Sequence, residues 1–307
     1  MKNAAIFAAK WGITLFIVSV VAFAIPRFMP GNPVEILFNA YQIPSTLENI
    51  AMMEKEWGLD RPILHQYFHW ISNFAHGNWG KSLVTHVDIF SSFQKKVPYS
   101  IAIGLGGILL SSIFAFFCGY RAALHEKGFC DKFTRFLSIF SLSVPSFLLS
   151  VIVIYYLGVE LKLIKFFSGD GQWGLIFGII FMCIYTLGSI ARVAKIHFKE
   201  EMEQTYYKFS LSRGFSREYV LLKHSYKPVI CGIISIIISK FAWVLGGSTV
   251  IEFAFAIPGI SAYLIESMQR RDYYVLQSYL MVLFLWMMLS HVFFNAILLI
   301  LEKKGSA

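Results

Sequence analysis

Lys240 is the residue whose chemistry fits least well with its neighbours, because it lies inside the apolar run 229–251. A run of that length is long enough to span a bilayer. A charge at the centre of a membrane costs roughly 2.5–3.5 kcal/mol on insertion scales, so the ammonium group should face protein or water. We therefore expect Lys240 to line a polar path or a seam with a partner subunit. The alternative is a pairing that only fixes helix packing.

Glu252 closes the same run, and Pro258 and Gly259 interrupt the chain soon afterwards. A carboxylate followed by a Pro-Gly pair indicates either an ordinary turn or a short segment that folds back and controls access to a path. We take Glu252, Pro258 and Gly259, together with Lys240, as candidate path or gate residues.

Histidine and cysteine are the residues most able to hold a metal, but their spacing in this chain does not favour a metal site. His65 and His69 are four residues apart and would share one face of a helix, where imidazole suits nickel; solvated loop histidines are the commoner case. The four cysteines lack metal or redox spacing, and the chain has no Walker-type glycine loop, GxSxG or HExxH motif. We predict no catalytic residues, no metal site and no cofactor.

The segment 200–227 combines positive charge, tyrosines and helix-forming residues. Gly214 can adopt a positive φ and end a helix, and Ser216 is a good N-cap for a second one. We therefore predict a short helix, a sharp turn and a second helix. Taken alone, this pattern is typical of an amphipathic element that lies on an anionic membrane surface.

The composition places these features in a membrane protein. Of the 307 residues, 57% are hydrophobic and 15% are charged, whereas a soluble domain has about 45–50% and about 25%. Only helices and closed barrels satisfy their backbone polar groups in lipid, so we predict an all-α bundle, with 1–307 as one domain. Six spans are predicted: 11–29, 97–124, 136–159, 173–191, 229–251 and 273–301. Pro145 interrupts the third span and would permit a kink.

The distribution of Lys and Arg predicts the orientation of the chain. Cytoplasmic loops of membrane proteins carry an excess of these residues, and the segments that share a side with the two termini hold more of them. Both termini and the loop 192–228 are therefore expected in the cytoplasm, and the loop 30–96 outside. Cytoplasmic loops account for the net charge of +9; no nucleic-acid-binding motif is present.

Several motifs resemble the permeases of bacterial ABC importers. The segment Tyr206–Lys227 is similar to their cytoplasmic coupling loop, in which a helix of small residues precedes a glycine; here that stretch is Ser210-Leu211-Ser212-Arg213-Gly214. The whole chain resembles, more specifically, the permeases of the dipeptide, oligopeptide and nickel importer family. The further matching stretches are Phe28-Met29-Pro30-Gly31-Asn32-Pro33, Gly58-Leu59-Asp60-Arg61-Pro62, Gln66-Tyr67 with Trp70, Gly77-Asn78-Trp79-Gly80-Lys81-Ser82, Gly246-Gly247-Ser248-Thr249-Val250-Ile251-Glu252, Phe255-Ala256-Ile257-Pro258-Gly259-Ile260 and Arg271-Asp272-Tyr273-Tyr274-Val275-Leu276-Gln277.

The chain departs from the family pattern at two places. Serines stand where the family has alanines before the coupling glycine, and Phe209 and Leu211 are bulky. Gly232 stands where a proline is usual, while Pro228 comes earlier.

The resemblance implies a type I ABC importer permease bundle in the bacterial inner membrane, which forms half of a pore and is not an enzyme. It implies three kinds of protein partner besides the lipid bilayer: a second related permease, cytoplasmic ABC ATPase subunits and an extracytoplasmic substrate-binding protein. The tyrosines of the coupling loop would anchor it in a groove of the ATPase, and its cations would pair with acidic groups there. The residues expected to make this contact are Tyr206, Tyr207, Lys208, Ser210, Ser212, Arg213, Gly214 and Arg217.

Peptides are the expected cargo, with nickel or another metal chelate as the alternative, because both kinds of importer share these motifs. Two other classes of function remain open. A secondary transporter usually has more intramembrane charges or inverted repeats. A membrane scaffold would use the loop to bind some other cytoplasmic protein.

Overall fold

The fold was obtained as a computed structural model, which describes residues 2–167, 172–242 and 244–305. Helices dominate these residues, and the β-structure among them is one isolated bridge between Lys81 and Asp88. A π-helical segment, Ile154–Glu160, directly follows the helix Ser146–Val153. The helices are α1 Lys2–Phe28, α2 Pro33–Ala40, α3 Leu47–Glu56, α4 Ile63–Ala75, α5 Ile89–Leu124, α6 Phe129–Ser143, α7 Ser146–Val153, α8 Gln172–Glu203, α9 Thr205–Ser212, α10 Arg217–His224, α11 Tyr226–Ala242, α12 Val244–Gly247, α13 Thr249–Ala254, α14 Ile260–Gln269 and α15 Tyr273–Gly305.

Within the described residues, four helices are long and apolar enough to cross a membrane: α1, α5, α8 and α15. Two bent pairs bring the number to six if each pair counts as one span. They are α6 with α7 and its π-helical extension, bent by 100°, and α10 with α11, bent by 58°. The predicted all-α membrane fold is confirmed, although the third predicted span is bent and the fifth, 229–251, is interrupted at Ser248 between α12 and α13.

The third predicted span breaks at Pro145. Proline lacks a backbone N–H and disfavours helical geometry in the residue before it. Accordingly, α6 ends at Ser143, and Val144 has extended backbone angles. The Tyr185 hydroxyl donates to the Val144 carbonyl at 2.8 Å, which supplies a hydrogen bond that the helix no longer makes.

The helix that contains the fourth predicted span is longer than 173–191, because α8 continues to Glu203. Arg192 ends the apolar run, but a charged residue does not end a helix. Ala191, Ala194 and Phe198 recur at helical spacing and are buried, so packing keeps this part of the chain helical. Helix α8 therefore continues into the predicted cytoplasmic loop 192–228, whose bounds stay a prediction.

The chain divides into two compact units, Met1–Val97 with Ala262–Leu285 and Pro98–Ser261 with Trp286–Ala307. The assignment of 1–307 to one domain stays a prediction. In the first unit, the loop 30–96 carries α2, α3, α4 and the start of α5. Tyr67 of α4 packs edge-on against Phe23 of α1, with ring centres 5.3 Å apart, and its hydroxyl lies 2.7 Å from Ser19 Oγ.

Asp272 joins two sequence motifs within the first unit, although they are far apart in the chain. Its carboxylate accepts hydrogen bonds from Ser82 Oγ at 2.5 Å and from the Leu83 N–H at 3.2 Å. Burial raises the pKa of Asp272 above its ordinary value, while these hydrogen bonds act to lower it. Ser82 Oγ also accepts from the backbone N–H groups of Val84 and Thr85. Ser82 must therefore donate its only hydroxyl hydrogen to Asp272.

We predict that Asp272→Asn destabilises the protein by about 1–3 kcal/mol, the cost of a buried polar group without a suitable partner. In either orientation, the asparagine NH2 group would face a donor where the carboxylate now accepts. The midpoint of thermal unfolding of the purified chain in detergent measures the effect. Asp60→Asn, at an exposed position, is the control and should leave the midpoint unchanged. Equal midpoints for the two variants would contradict the prediction.

The second unit is organised along α8. Helices α5 and α11 both share its apolar core, which explains why α8 stays helical over a length that exceeds its apolar run. Buried members of this core are Ala115, Tyr120, Leu137, Ile190, Phe198, Val229 and Ile233.

Candidate functional site

The predicted helix–turn–helix is present after α8. Helix α9 ends at Ser212, and Gly214 has a φ of +89°. The Gly214 N–H donates to the Leu211 carbonyl at 2.9 Å, and the Phe215 N–H donates to the Ser210 carbonyl at 3.3 Å. This pair of bonds is the Schellman arrangement that satisfies the last carbonyls of a helix. The prediction that Gly214 ends the helix with a positive φ is confirmed.

Ser216 begins the second helix as predicted. Its Oγ accepts a hydrogen bond from the Tyr219 N–H at 3.3 Å and caps α10. On the other side of the turn, a Cβ atom added at Gly214 would meet nothing within 4 Å. Glycine is therefore required at 214 by its backbone angle, and the space beside it is open to a partner.

The surface around this turn is positively charged and aromatic. Lys208, Arg213 and Arg217 are exposed. Phe209 is 56% exposed and Phe215 is 49% exposed, and the Arg213 guanidinium lies 4.5 Å from the centre of the Phe209 ring. We call these five residues the turn surface. The family pattern marks Phe209 only as a bulky departure and predicts no role for Phe215, although an aromatic residue on each side of the glycine is a signal for both.

Ser210 and Ser212 make hydrogen bonds inside their own helix. Ser210 Oγ donates to the Tyr206 carbonyl and Ser212 Oγ to the Phe209 carbonyl, both at 2.8 Å. Serine is therefore only slightly bulkier than the alanine of the family pattern, and its hydroxyl hydrogen is already bonded to a carbonyl of α9.

Tyr206 and Tyr207 lie in different environments. Tyr207 is 4% exposed and belongs to the core of the second unit, so the predicted anchoring of its ring in a partner's groove conflicts with its burial. The Tyr206 hydroxyl donates to the Glu201 carboxylate and lies 2.7 Å from Ser225 Oγ. Burial and the hydrogen bond to Glu201 raise the pKa of Tyr206 to about 12, so its hydroxyl keeps its proton at neutral pH.

The turn surface is fixed to the core beneath it. Val220 and Leu221 of α10 are fully buried, and with Tyr207 of α9 they share one cluster with Phe198 of α8 and Val229 of α11. Protein interiors are close-packed and transmit displacement. A force applied to the turn surface therefore reaches α8 and α11 through side-chain contacts.

Lys240 lines a cavity of about 320 Å³ in the second unit. Lys240 lies on α11. Hydroxyl-bearing and apolar residues both line this cavity, and the role of Lys240 in a path stays a prediction. The hydroxyl-bearing residues that line the cavity are Ser141, Ser146, Tyr185, Thr186 and Ser239.

Glu252 is fully buried and organises the turn that follows α13. Its Oε1 accepts from Ser248 Oγ at 2.6 Å, and its Oε2 accepts from the Ser261 N–H at 2.9 Å. Gly259 lies so close that an added Cβ would overlap the Glu252 carboxylate and would stand 2.8 Å from Ser100 Oγ. Close approach, and not a positive φ, is the reason for glycine at 259.

The structure thus groups the candidate residues in three places. The loop residues lie around the turn surface, Lys240 lines its cavity, and Glu252 and Gly259 lie together in a turn on which Pro258 is exposed. The three turn residues do not line the cavity. The rings of His65 and His69 stack with centres 6.3 Å apart; among the described residues, no group of three or more His, Cys, Asp or Glu could hold a metal ion.

Comparison with known families identifies the class of this protein. Residues 101–305 match the family described as binding-protein-dependent transport system inner membrane component, and residues 7–103 match the N-terminal family of the same membrane components. The chain belongs to this family. It is a membrane-embedded permease subunit of an ABC importer, as the sequence motifs predicted, and the matched residues include the turn surface, the Lys240 cavity and the Glu252 turn.

Curated relatives support the same assignment. The glutathione transport system permease proteins of Escherichia coli strain K12 and Shigella boydii serotype 4 strain Sb227 are each 26% identical to this chain over 265 residues, which is 86% of the chain and 86% of each relative. Transport of nickel or another metal chelate by this permease stays an alternative prediction.

We predict that Gly259→Ala destabilises this permease by about 1–3 kcal/mol, the usual cost of forcing an extra methyl into a packed site. The carboxylate that the methyl would displace is buried and hydrogen-bonded, so it has no free space to move into. Thermal unfolding in detergent measures the loss. Gly12→Ala is the matched control, because a Cβ there meets nothing within 4 Å. A Gly259→Ala variant as stable as Gly12→Ala would show that the turn is not close-packed.

Proposed function

We propose that this permease forms half of a translocation pore for peptides and that its turn surface receives a cytoplasmic ABC ATPase. The observation that carries the proposal is the turn surface itself. Three cations and two phenylalanines are exposed on α9, α10 and the turn between them, and the opposite faces of these helices are buried with α8 and α11. Exposed aromatic and arginine side chains on a rigid support are typical of a protein interface.

This proposal orients the chain in the membrane. The turn surface and both termini lie in the cytoplasm, and the loop that carries α2, α3 and α4 lies outside. ATP hydrolysis takes place on the separate ATPase chain. A second, related permease completes the pore, and an extracytoplasmic binding protein delivers the cargo to the outer side.

The residues of the loop then have distinct roles. Lys208, Arg213 and Arg217 pair with acidic groups of the ATPase, and the two exposed phenylalanines provide apolar contact area. Gly214 lets the backbone turn with no side chain between the partners. Tyr206 and Tyr207 act on the permease side, where one ties α9 to Glu201 and Ser225 and the other joins α9 to the core. Closure of the ATPase pair would move α8 and α11 as one body, as rigid-body alternating access requires.

The Lys240 cavity supports peptide cargo. An ammonium group in a cavity that hydroxyl-bearing residues also line favours a carboxylate, with which it forms a charge-assisted hydrogen bond. Glutathione, which the names of the relatives specify, is a small peptide with free carboxylates. Since the volume of about 320 Å³ is near the lower end of the range of about 300–1,000 Å³ for ligand pockets, the cavity suits the end of a short peptide.

The Glu252 turn is the proposed gate. Its carboxylate holds Ser248, the residue before α13, and the backbone of Ser261 at once. Ile251, which precedes Glu252, lines the Lys240 cavity. A movement of this turn would therefore change the wall of the cavity, which is the property that a gate needs.

Capture of an ABC ATPase by the tagged permease tests the proposed interface. We expect the wild type to retain a co-expressed ATPase of the source organism, and Gly214→Asp to reduce its recovery at least tenfold. Aspartate adds a side chain and a negative charge beside Lys208, Arg213 and Arg217, so it opposes both the approach and the charge of the partner.

Gly214→Asn is the matched control for charge. Asparagine has the size of aspartate and tolerates left-handed backbone angles comparably, but it is neutral, so we expect an intermediate recovery. Failure of the wild type to capture any ATPase, or equal recovery with Gly214→Asp, would contradict the proposed coupling role.

We predict that Lys240→Met lowers uptake of labelled glutathione or dipeptides by roughly tenfold or more, the value of a hydrogen bond to a charged group. Uptake would be measured in proteoliposomes that contain the assembled importer. ATPase capture should be unchanged, because Lys240 lies outside the turn surface. Lys240→Arg keeps the charge and should retain most of the uptake. Normal uptake by Lys240→Met would remove Lys240 from the translocation path.

A further inference from the structure

A second cavity of the second unit lies between α6 and α8, at the end of α8 that leads to the turn surface. Its volume is about 390 Å³, within the range of about 300–1,000 Å³ that ligand pockets occupy. Arg135 of α6 and Arg192, Lys195 and Lys199 of α8 contribute cations to its lining, and Asp131 of α6 contributes the carboxylate. We call it the basic pocket.

Asp131 neutralises only part of this charge. It is buried, and Lys195 Nζ lies 2.7 Å from its Oδ1. Arg135 Nη2 lies 3.6 Å from its Oδ2, and the Arg135 side chain is 69% exposed. Lys195 and Arg135 therefore share one carboxylate, and Arg135, the more exposed of the two, has capacity to bind a further anion.

The other two cations add to the excess. Lys199 pairs with Glu126, an exposed residue outside the pocket lining. Arg192 is exposed, and its side chain has neither a hydrogen bond nor an ion pair with any residue that the structure describes. The lining thus has a net charge of +3, or +2 with Glu126 included, so the basic pocket is suited to an anionic ligand.

Helix packing sets the shape of the basic pocket. At Gly188 of α8 an added Cβ would lie 2.5 Å from the Ser138 backbone nitrogen of α6. Asp131 lies two helical turns before Ser138 on α6, and Lys195 lies two helical turns after Gly188 on α8. These two residues meet as an ion pair. Equal steps in opposite chain directions show that the helices are antiparallel and stay in register. The charged walls are therefore held by regular helices and not by a loop.

Apolar side chains are exposed on the same two helices. Ile196 lines the basic pocket and is itself exposed, and Phe129 and Phe136 are exposed on α6. Since the third predicted span begins at residue 136, bilayer lipids border these side chains. The acyl chains of a lipid would cover them while its headgroup met the cations.

We propose that the basic pocket binds the phosphodiester headgroup of an anionic phospholipid of the inner leaflet. Basic pockets between membrane helices on the cytoplasmic side bind such headgroups. Arg135 and Arg192 contact the phosphate, Lys195 stays with Asp131, and the acyl chains lie along Phe129 and Phe136. This assignment rests on the proposed orientation, which places this end of α8 at the inner face.

Lipid retention on the full chain tests the proposal. The purified permease in detergent is titrated with phosphatidylglycerol or with phosphatidylcholine, and bound lipid is counted by native mass spectrometry. We expect one phosphatidylglycerol to be retained in preference to phosphatidylcholine. Arg135→Gln with Arg192→Gln should weaken that retention by roughly tenfold to thirtyfold, the effect of losing two cations that face an anionic lipid.

The matched control is Lys132→Gln with Lys227→Gln, which removes two exposed cations outside the basic pocket and should leave retention unchanged. Equal retention of the two lipids, or equal effects of the two double variants, would overturn the proposal. Displacement of phosphatidylglycerol by millimolar glycerol 3-phosphate or inorganic phosphate would also overturn it, because the ligand would then be a soluble anion.

ATPase capture on the same preparations separates this inference from the proposed function. We expect the double variant at Arg135 and Arg192 to capture the ATPase normally while it loses lipid. Loss of capture with normal lipid retention would assign these arginines to the protein interface and overturn the lipid site. Lipid selectivity in a permease that captures no ATPase would support the site and contradict only the proposed coupling.

Discussion

Backbone hydrogen bonding in the absence of water is the constraint on which the rest of the structure depends. A continuous helix satisfies its own N–H and C=O groups, but a broken one must find other partners inside the protein. At the Pro145 break, the Tyr185 hydroxyl donates to the Val144 carbonyl. Beside the interruption at Ser248, between α12 and α13, the Ser261 hydroxyl of α14 donates to the Leu245 carbonyl. Side chains from neighbouring helices thus make interrupted spans compatible with an apolar environment.

The same interruptions explain where polar space is found. The Lys240 cavity is lined by residues on both sides of the Pro145 break, Ser141 and Ser146, and by residues on both sides of the interruption at Ser248, Gly247 and Ile251. Where a helix ends or bends, its neighbours cannot pack against it continuously. The serines and Lys240 occupy the resulting gap, so the breaks in the spans and the candidate path have one physical cause.

The charged groups of the second unit differ in how completely they are paired. Buried Glu252 is satisfied by a hydroxyl and a backbone N–H and fixes a turn, and buried Asp131 is paired with Lys195 and fixes two helices. Exposed cations of the turn surface and Arg192 lack such fixed roles. Buried charges therefore define the fold of this permease, while exposed cations are available to partners, whether the acidic groups of an ATPase or the headgroup of a lipid.

The sequence by itself determined the membrane class, the family and the features that follow from neighbouring residues. The positive φ at Gly214, the cap at Ser216 and the interruption at Pro145 depend on local backbone geometry, so each could be predicted without the fold. Tertiary structure decided which side chains are buried: Tyr207 enters the core beside exposed Tyr206, and Asp131 meets Lys195 across two helices. It also decided that α8 continues beyond its apolar run. Such outcomes depend on contacts between residues distant in the chain, which local sequence rules do not contain.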